Sequence, residues 1–154
     1  MIEVTRNVPV EPEHVFAVLA DGWSFAGWVV GASHIRAVDE GWPEVGTRIH
    51  HSVGPWPAAI EDVTTVTAMR PNAAITLDAR LWPVGAARVE ITLRPSPGGG
   101  THVVMAEEVV RGLGRLAPGA LQALLLKPRN DESLRRLEAI AVGRVRQPHP
   151  PASG

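Results

Sequence analysis

Six histidines, sixteen acidic side chains and no cysteine are the chemical repertoire of this 154-residue chain, and two of the histidines are adjacent. Without thiols there is no disulfide, no thiolate nucleophile and no cysteine-bound metal centre. The pair, His50 and His51, lies in TRIHHSVGPWPAAIE, residues 47–61, a stretch that reads as a strand running into a Pro-Trp-Pro break. Successive strand side chains point to opposite faces, so Ile49, His51 and Val53 share one side and Arg48, His50 and Ser52 the other. The apolar company puts His51 inward and His50 outward. Neighbours on a regular strand cannot grip one metal ion without a bulge, so no metal site is expected. His51 alone could hydrogen-bond a ligand carbonyl or act as a general acid or base near neutral pH. The plainer alternative is a core histidine satisfied by a neighbouring group.

A second candidate comes from THVVMAEEVV, residues 101–110. Val103, Met105, Glu107 and Val109 alternate with His102, Val104, Ala106, Glu108 and Val110, and both sets contain valine. Placing His102 outside selects Glu107 as the inward carboxyl. A buried carboxylate needs a donor, which His51 or an arginine could supply. The expectation is a His51–Glu107 polar spot in an apolar cavity, the two being the only acid/base candidates. Glu61 and Asp62 are strand neighbours facing opposite ways and do not make a catalytic pair. No phosphate-binding glycine loop, H-E-x-x-H or G-x-S-x-G occurs, and the glycines at 98–100 read as a hairpin turn, so no cofactor is implied.

The elements that would position these groups follow from periodicity and turn chemistry. IEVTRNV alternates as a first strand; Glu11-Pro12 opens a helix with Val15, Phe16 and Leu19 as its stripe; WSFAGWVV suggests a second short helix. Strand-like segments follow at 33–39, 45–53, 58–69, 73–82, 85–94 and 101–111, separated by Gly- and Pro-rich turns. Short connections require a mostly antiparallel sheet. A helical pattern runs from about 130 to 145, with Asn130 or Asp131 as its cap and Leu134, Leu137, Ile140, Ala141 and Val145 on one side. Before it, Leu113, Leu116, Leu121, Leu124 and Leu125 form a partial stripe suited to a core contact or a homodimer contact. Residues 1–146 read as one domain and 147–154 as a disordered Pro-rich tail.

With 20% charged residues and net charge −1, the chain has no electrostatic footprint for nucleic acid or an anionic membrane. No apolar run reaches the roughly 18–20 residues of a membrane span and no signal peptide is read at the N-terminus, so a cytoplasmic location is expected.

VPVEPEHVFAVLADGWSFAGWVVGA, THVVMAEE at 101–108 and NDESLRRLEAIA, with the strands between, resemble the START-like superfamily, also called SRPBCC or polyketide cyclase/dehydrase-like. That resemblance implies an α+β helix-grip fold: a curved antiparallel sheet of about seven strands around a long C-terminal helix, two short helices after the first strand, and an apolar cavity between. It implies a small hydrophobic ligand, such as a lipid, isoprenoid or polyketide-like aromatic, held by a carrier or sensor; members also include polyketide cyclases, aromatases and many uncharacterised bacterial proteins. Candidate cavity residues are Leu77, Ala79 and Leu81 on one strand, Val89 and Ile91 on the next, then Met105 and Glu107. Leu134, Leu137 and Ala141 would face them from the helix, and His51 would lie among them. By the same resemblance the leucine stripe before that helix would border the cavity entrance as a lid. Five tryptophans in a chain without tyrosine suggest that Trp28, Trp56 or Trp82 lines the pocket.

Overall fold

Alternation dictates the first element: Val4 and Val8 of strand β1 (Ile2–Val8) are buried while Glu3 and Thr5 are exposed. The computed structural model describes residues 1–53, 60–81 and 85–147. Helix α1 (Pro12–Leu19) begins with proline in its first turn, where the missing N–H costs no intrahelical bond, and buries Val15, Phe16, Val18 and Leu19. A tight turn at Gly22–Ser24 leads into the short α2 (Phe25–Trp28), which buries both Phe25 and Trp28.

Six strands follow: β2 (Ala32–Val38), β3 (Arg48–Val53), β4 (Ile60–Arg70), β5 (Ala74–Leu81), β6 (Gly85–Pro95) and β7 (Thr101–Arg111). All neighbours pair antiparallel in the order β1-β7-β6-β5-β4-β3-β2, giving a curved seven-stranded sheet with β1 and β2 as its free edges. Register shifts interrupt β2 twice, between Ala32 and His34 and between Ile35 and Ala37. The β6–β7 turn is the glycine hairpin expected from sequence: Gly98, Gly99 and Gly100 all have positive φ, and a Cβ on Gly100 would meet the Val8 carbonyl oxygen at 2.6 Å.

The last helix, α3 (Gly119–Arg146), departs from expectation. It starts at 119, not near 130, and continues through Pro128. Neither Asn130 nor Asp131 caps it; Asn130 is an interior helical residue, 1% exposed. A proline inside a helix removes one i→i−4 bond and crowds the preceding turn, at a cost of about 3 kcal/mol. Contacts just beyond it hold the chain helical: Arg129 donates to the Val30 carbonyl, and the Ser133 hydroxyl accepts from the Val30 N–H. Leu134, Leu137 and Ala141 are buried, but Val145, assigned to the same stripe, is 42% exposed. The N-terminal part presents Leu121, Leu124 and Leu125 to solvent, as the preceding turn does Leu113 and Leu116. Those five leucines are not core.

One apolar cluster joins the concave face of the sheet to α1, α2 and the C-terminal part of α3, including Val4, Val15, Trp28, Ile49, Ile91 and Leu137. This is the helix-grip architecture. The expected disordered tail lies, from 148 on, outside the described residues.

Candidate functional site

Strand pairing lays the concave face out in rows. One row runs Ile49, Thr64, Ala79, Ala87, Val109 across β3 to β7; the next runs Val66, Leu77, Val89, Glu107, Ile2. The first row is short in its middle, where Thr64, Ala79 and Ala87 stand side by side. Residues opposite one another in an antiparallel pair share a face, so Asp62, the partner of His51, belongs to this side too.

His51 is 4% exposed, on the inward side of β3. Its Nε2 lies 2.9 Å from the Thr64 hydroxyl, and the Phe25 ring packs 5.6 Å away, centroid to centroid. Its Nδ1 is sealed from solvent and has no hydrogen-bond partner among the described residues. Burial pushes the imidazole pKa below its ordinary value; Asp62 opposes that shift, while Arg36 and His50 add to it. His50 points the other way, with Nε2 3.0 Å from an Asp39 carboxylate oxygen. That contact is the main cause of a lowered Asp39 pKa, and Arg48 adds to it. The two histidines therefore serve opposite faces of one strand.

Glu107 is 2% exposed and held by two side chains. Arg129 Nη1 donates to both carboxylate oxygens, at 3.1 and 3.3 Å, and Asn130 Nδ2 donates at 2.6 Å. The donor is thus an arginine together with Asn130, both from α3. His51 is not among its partners: the two residues stand on β3 and β7, with β4, β5 and β6 between them in the sheet. Each polar group has its own anchorage, so a joint His51–Glu107 spot is not formed.

Of the other candidates, Leu77, Val89, Ile91, Met105, Leu134, Leu137 and Ala141 are buried in the core cluster, and Ala79 is half-buried. Trp28 is 2% exposed and packs edge-to-face on Phe25 at 5.5 Å. Trp56, Trp82 and the Leu81 side chain lie outside the described residues. Thr64, Asp62 and Asn130 were missed by sequence reasoning. The signal for the first two was available in the pairing of β3 with β4, since an inward His51 obliges its cross-strand neighbour to be inward as well.

Three described grooves lie elsewhere. One of about 270 Å³ is lined by residues of β4, β5 and β6 including Arg70, Glu90 and Ile91; one of about 580 Å³ sits between Asn7 and Gly99; one of about 460 Å³ between Pro9 and the end of α3. None is lined by His51 or Glu107. Among the described residues no group of three or more His, Asp or Glu could hold a metal ion, and no helix is long and apolar enough to cross a membrane.

The sheet, the gripping helix and this buried polar lining set the chain beside known proteins. A family model described as polyketide cyclase/dehydrase and lipid transport matches residues 1–142, from β1 through most of α3. The chain belongs to that family. Solved structures agree on the fold. A Staphylococcus aureus protein of unknown function, SA2116, superposes with a TM-score of 0.74 at 9% identity, covering 95% of each chain. A Rhodobacter sphaeroides protein gives 0.70 at 23% identity, over 92% of this chain and 91% of that one. DynU16, a protein in the dynemicin biosynthetic locus, gives 0.63 at 20% identity, over 90% of this chain and 45% of that one. No curated protein sequence matches. At these identities the structures establish the shared fold alone.

Proposed function

We propose that this protein binds a small hydrophobic molecule, a lipid, isoprenoid or polyketide-like aromatic, between the concave face and α3, as a carrier or sensor. The observation that supports this best is the row Thr64, Ala79, Ala87. Three short side chains stand together beside a row that carries Val66, Leu77 and Val89, and Ala79 keeps some accessibility between the buried Thr64 and Ala87. Short side chains flanked by long ones leave apolar surface that a flat or linear ligand can cover. Trp28, Leu77, Val89 and Met105 would wall the ligand, with His51 at one end.

A cyclase or dehydratase using His51 and Glu107 for proton transfer is supported less well. Proton transfer needs both groups within hydrogen-bond reach of one substrate, and each is bound to separate partners on strands far apart. A second binding reading rests on other residues. Leu113, Leu116 and Leu124, exposed by 77%, 80% and 70%, would suit a contact with a second copy of the chain. Sedimentation at high micromolar concentration reads this directly, and a monomer there sinks it.

Native mass spectrometry of freshly purified protein, followed by displacement of an environment-sensitive naphthalene dye by fatty acids and aromatic ketones, tests the ligand reading. A co-purifying apolar mass, or saturable displacement weakened by Ala79→Trp, is expected. Unchanged displacement in Ala79→Trp would remove the assigned site.

A further inference from the structure

The unpartnered nitrogen of His51 says more about the ligand than that it is apolar. A neutral imidazole carries one donor and one acceptor nitrogen, and which is which depends on the bond already made. Burial favours the neutral ring here. Its Nε2 faces the Thr64 hydroxyl, and among the described residues that hydroxyl has no other partner. If Nε2 carried the proton, Nε2–H would donate to Thr64 and the threonine hydrogen would be left unused in a buried site. If Thr64 donates to Nε2, the hydroxyl hydrogen and the Nε2 lone pair are both used and the proton sits on Nδ1. The second arrangement leaves one buried group without a partner, Nδ1–H, where the first leaves two, the threonine hydrogen and the Nδ1 lone pair, and is favoured on that ground. Nδ1–H is then a buried donor without an acceptor in hydrogen-bond reach among the described residues, in a wall made of Ile49, Phe25, the short row beside it and Asp62, the cross-strand neighbour of His51.

We infer that the ligand brings a hydrogen-bond acceptor, a ketone, ester or quinone-type carbonyl oxygen, to His51 Nδ1–H, and that Thr64 sets the tautomer that selects it. The inference rests on the ligand-binding reading above. It excludes plain hydrocarbons as preferred ligands, and ligands whose polar end can only donate, such as ammonium ions. Glu107 does not compete for the role: its carboxylate accepts from Arg129 and Asn130 and offers no donor in that form.

Two measurements test it. The first is long-range proton–nitrogen NMR of the imidazole rings in the intact ligand-free protein, with His51 assigned by His51→Gln and with Thr64→Val as comparison. The proton is expected on Nδ1 in the wild type, with that preference weakened in Thr64→Val; a proton on Nε2 would overturn the inference. The second uses matched probes, 2-acetylnaphthalene against 2-isopropenylnaphthalene and 2-tridecanone against 2-methyl-1-tridecene, which differ only in C=O against C=CH2. The preference for the ketone is expected to shrink about five- to tenfold in His51→Phe for at least one pair, the size of one lost hydrogen bond. An equal preference in both proteins overturns the carbonyl assignment and leaves apolar binding standing. Failure of all four probes to bind the wild type overturns the ligand-binding reading itself, and the carbonyl assignment with it. If His51→Phe does not fold, the NMR result on the wild type decides.

Discussion

The carboxylate of Glu107 is sealed beneath α3, and its stability depends on donors it does not own. Asn130 supplies the shortest of them at 2.6 Å. Asn130→Ala removes a donor from a buried charge, so a loss of about 1–3 kcal/mol in urea unfolding is expected, whereas Asp131→Ala, one position on and exposed, should change little. His51 makes a different prediction. Its folded pKa is lowered by burial, so between that value and the ordinary histidine value of about 6.5 the unfolded chain binds more protons than the folded one. Stability is therefore full above about pH 6.5 and declines as pH falls through that value towards the lowered one. Urea midpoints between about pH 7.5 and about pH 5.5 should fall in the wild type and fall less in His51→Phe. The inward placement of His51 and Glu107 was legible from alternation with Ile49 and Met105. Thr64 and Asp62 were legible only through the pairing of β3 with β4, because their own strand, IEDVTTVTAMR, gives no apolar alternation until Val66.

The strands were legible nearly to their ends because each is closed by turn chemistry, such as the glycines after Ser96 and the Pro-Asn pair after Arg70. Helix α3 was not, for a physical reason. Pro128 carries the strongest local stop signal available, and Asn130 beside it is a favoured cap residue. What overrides them is tertiary: Arg129 and Ser133 bond Val30, and Arg129 and Asn130 bond Glu107, all within two turns of the proline. The helix is thereby divided into a clamped C-terminal part and an uncovered N-terminal part. Pro128→Ala restores the missing backbone donor for Leu124. Slower amide exchange over 119–127, with exchange over 133–141 unchanged, is the expected outcome. If both stretches respond equally, the division is not real.

Taken whole, the molecule is a sheet whose concave face is covered by helices, with the ligand site proposed where that cover meets the shortest side chains. A ligand bound only by the folded chain stabilises it by mass action, about 2.7 kcal/mol at one hundred times Kd. For a chain of this length that corresponds to a rise in Tm of roughly 5–10 °C. A ketone probe from the matched pairs should produce such a rise in the wild type and a smaller one in Ala79→Trp. A rise of the same size in both would place the ligand elsewhere.

The two interruptions in β2 have a consequence for how this protein behaves in crowded solution. A flat terminal strand is a template on which further chains can polymerise backbone to backbone. Here the edge strand β2 has two register shifts within seven residues and carries His34 and Arg36 on its exposed positions, so that edge offers no unbroken line of donors and acceptors to an incoming chain. That edge of the sheet is blunted without closure into a barrel.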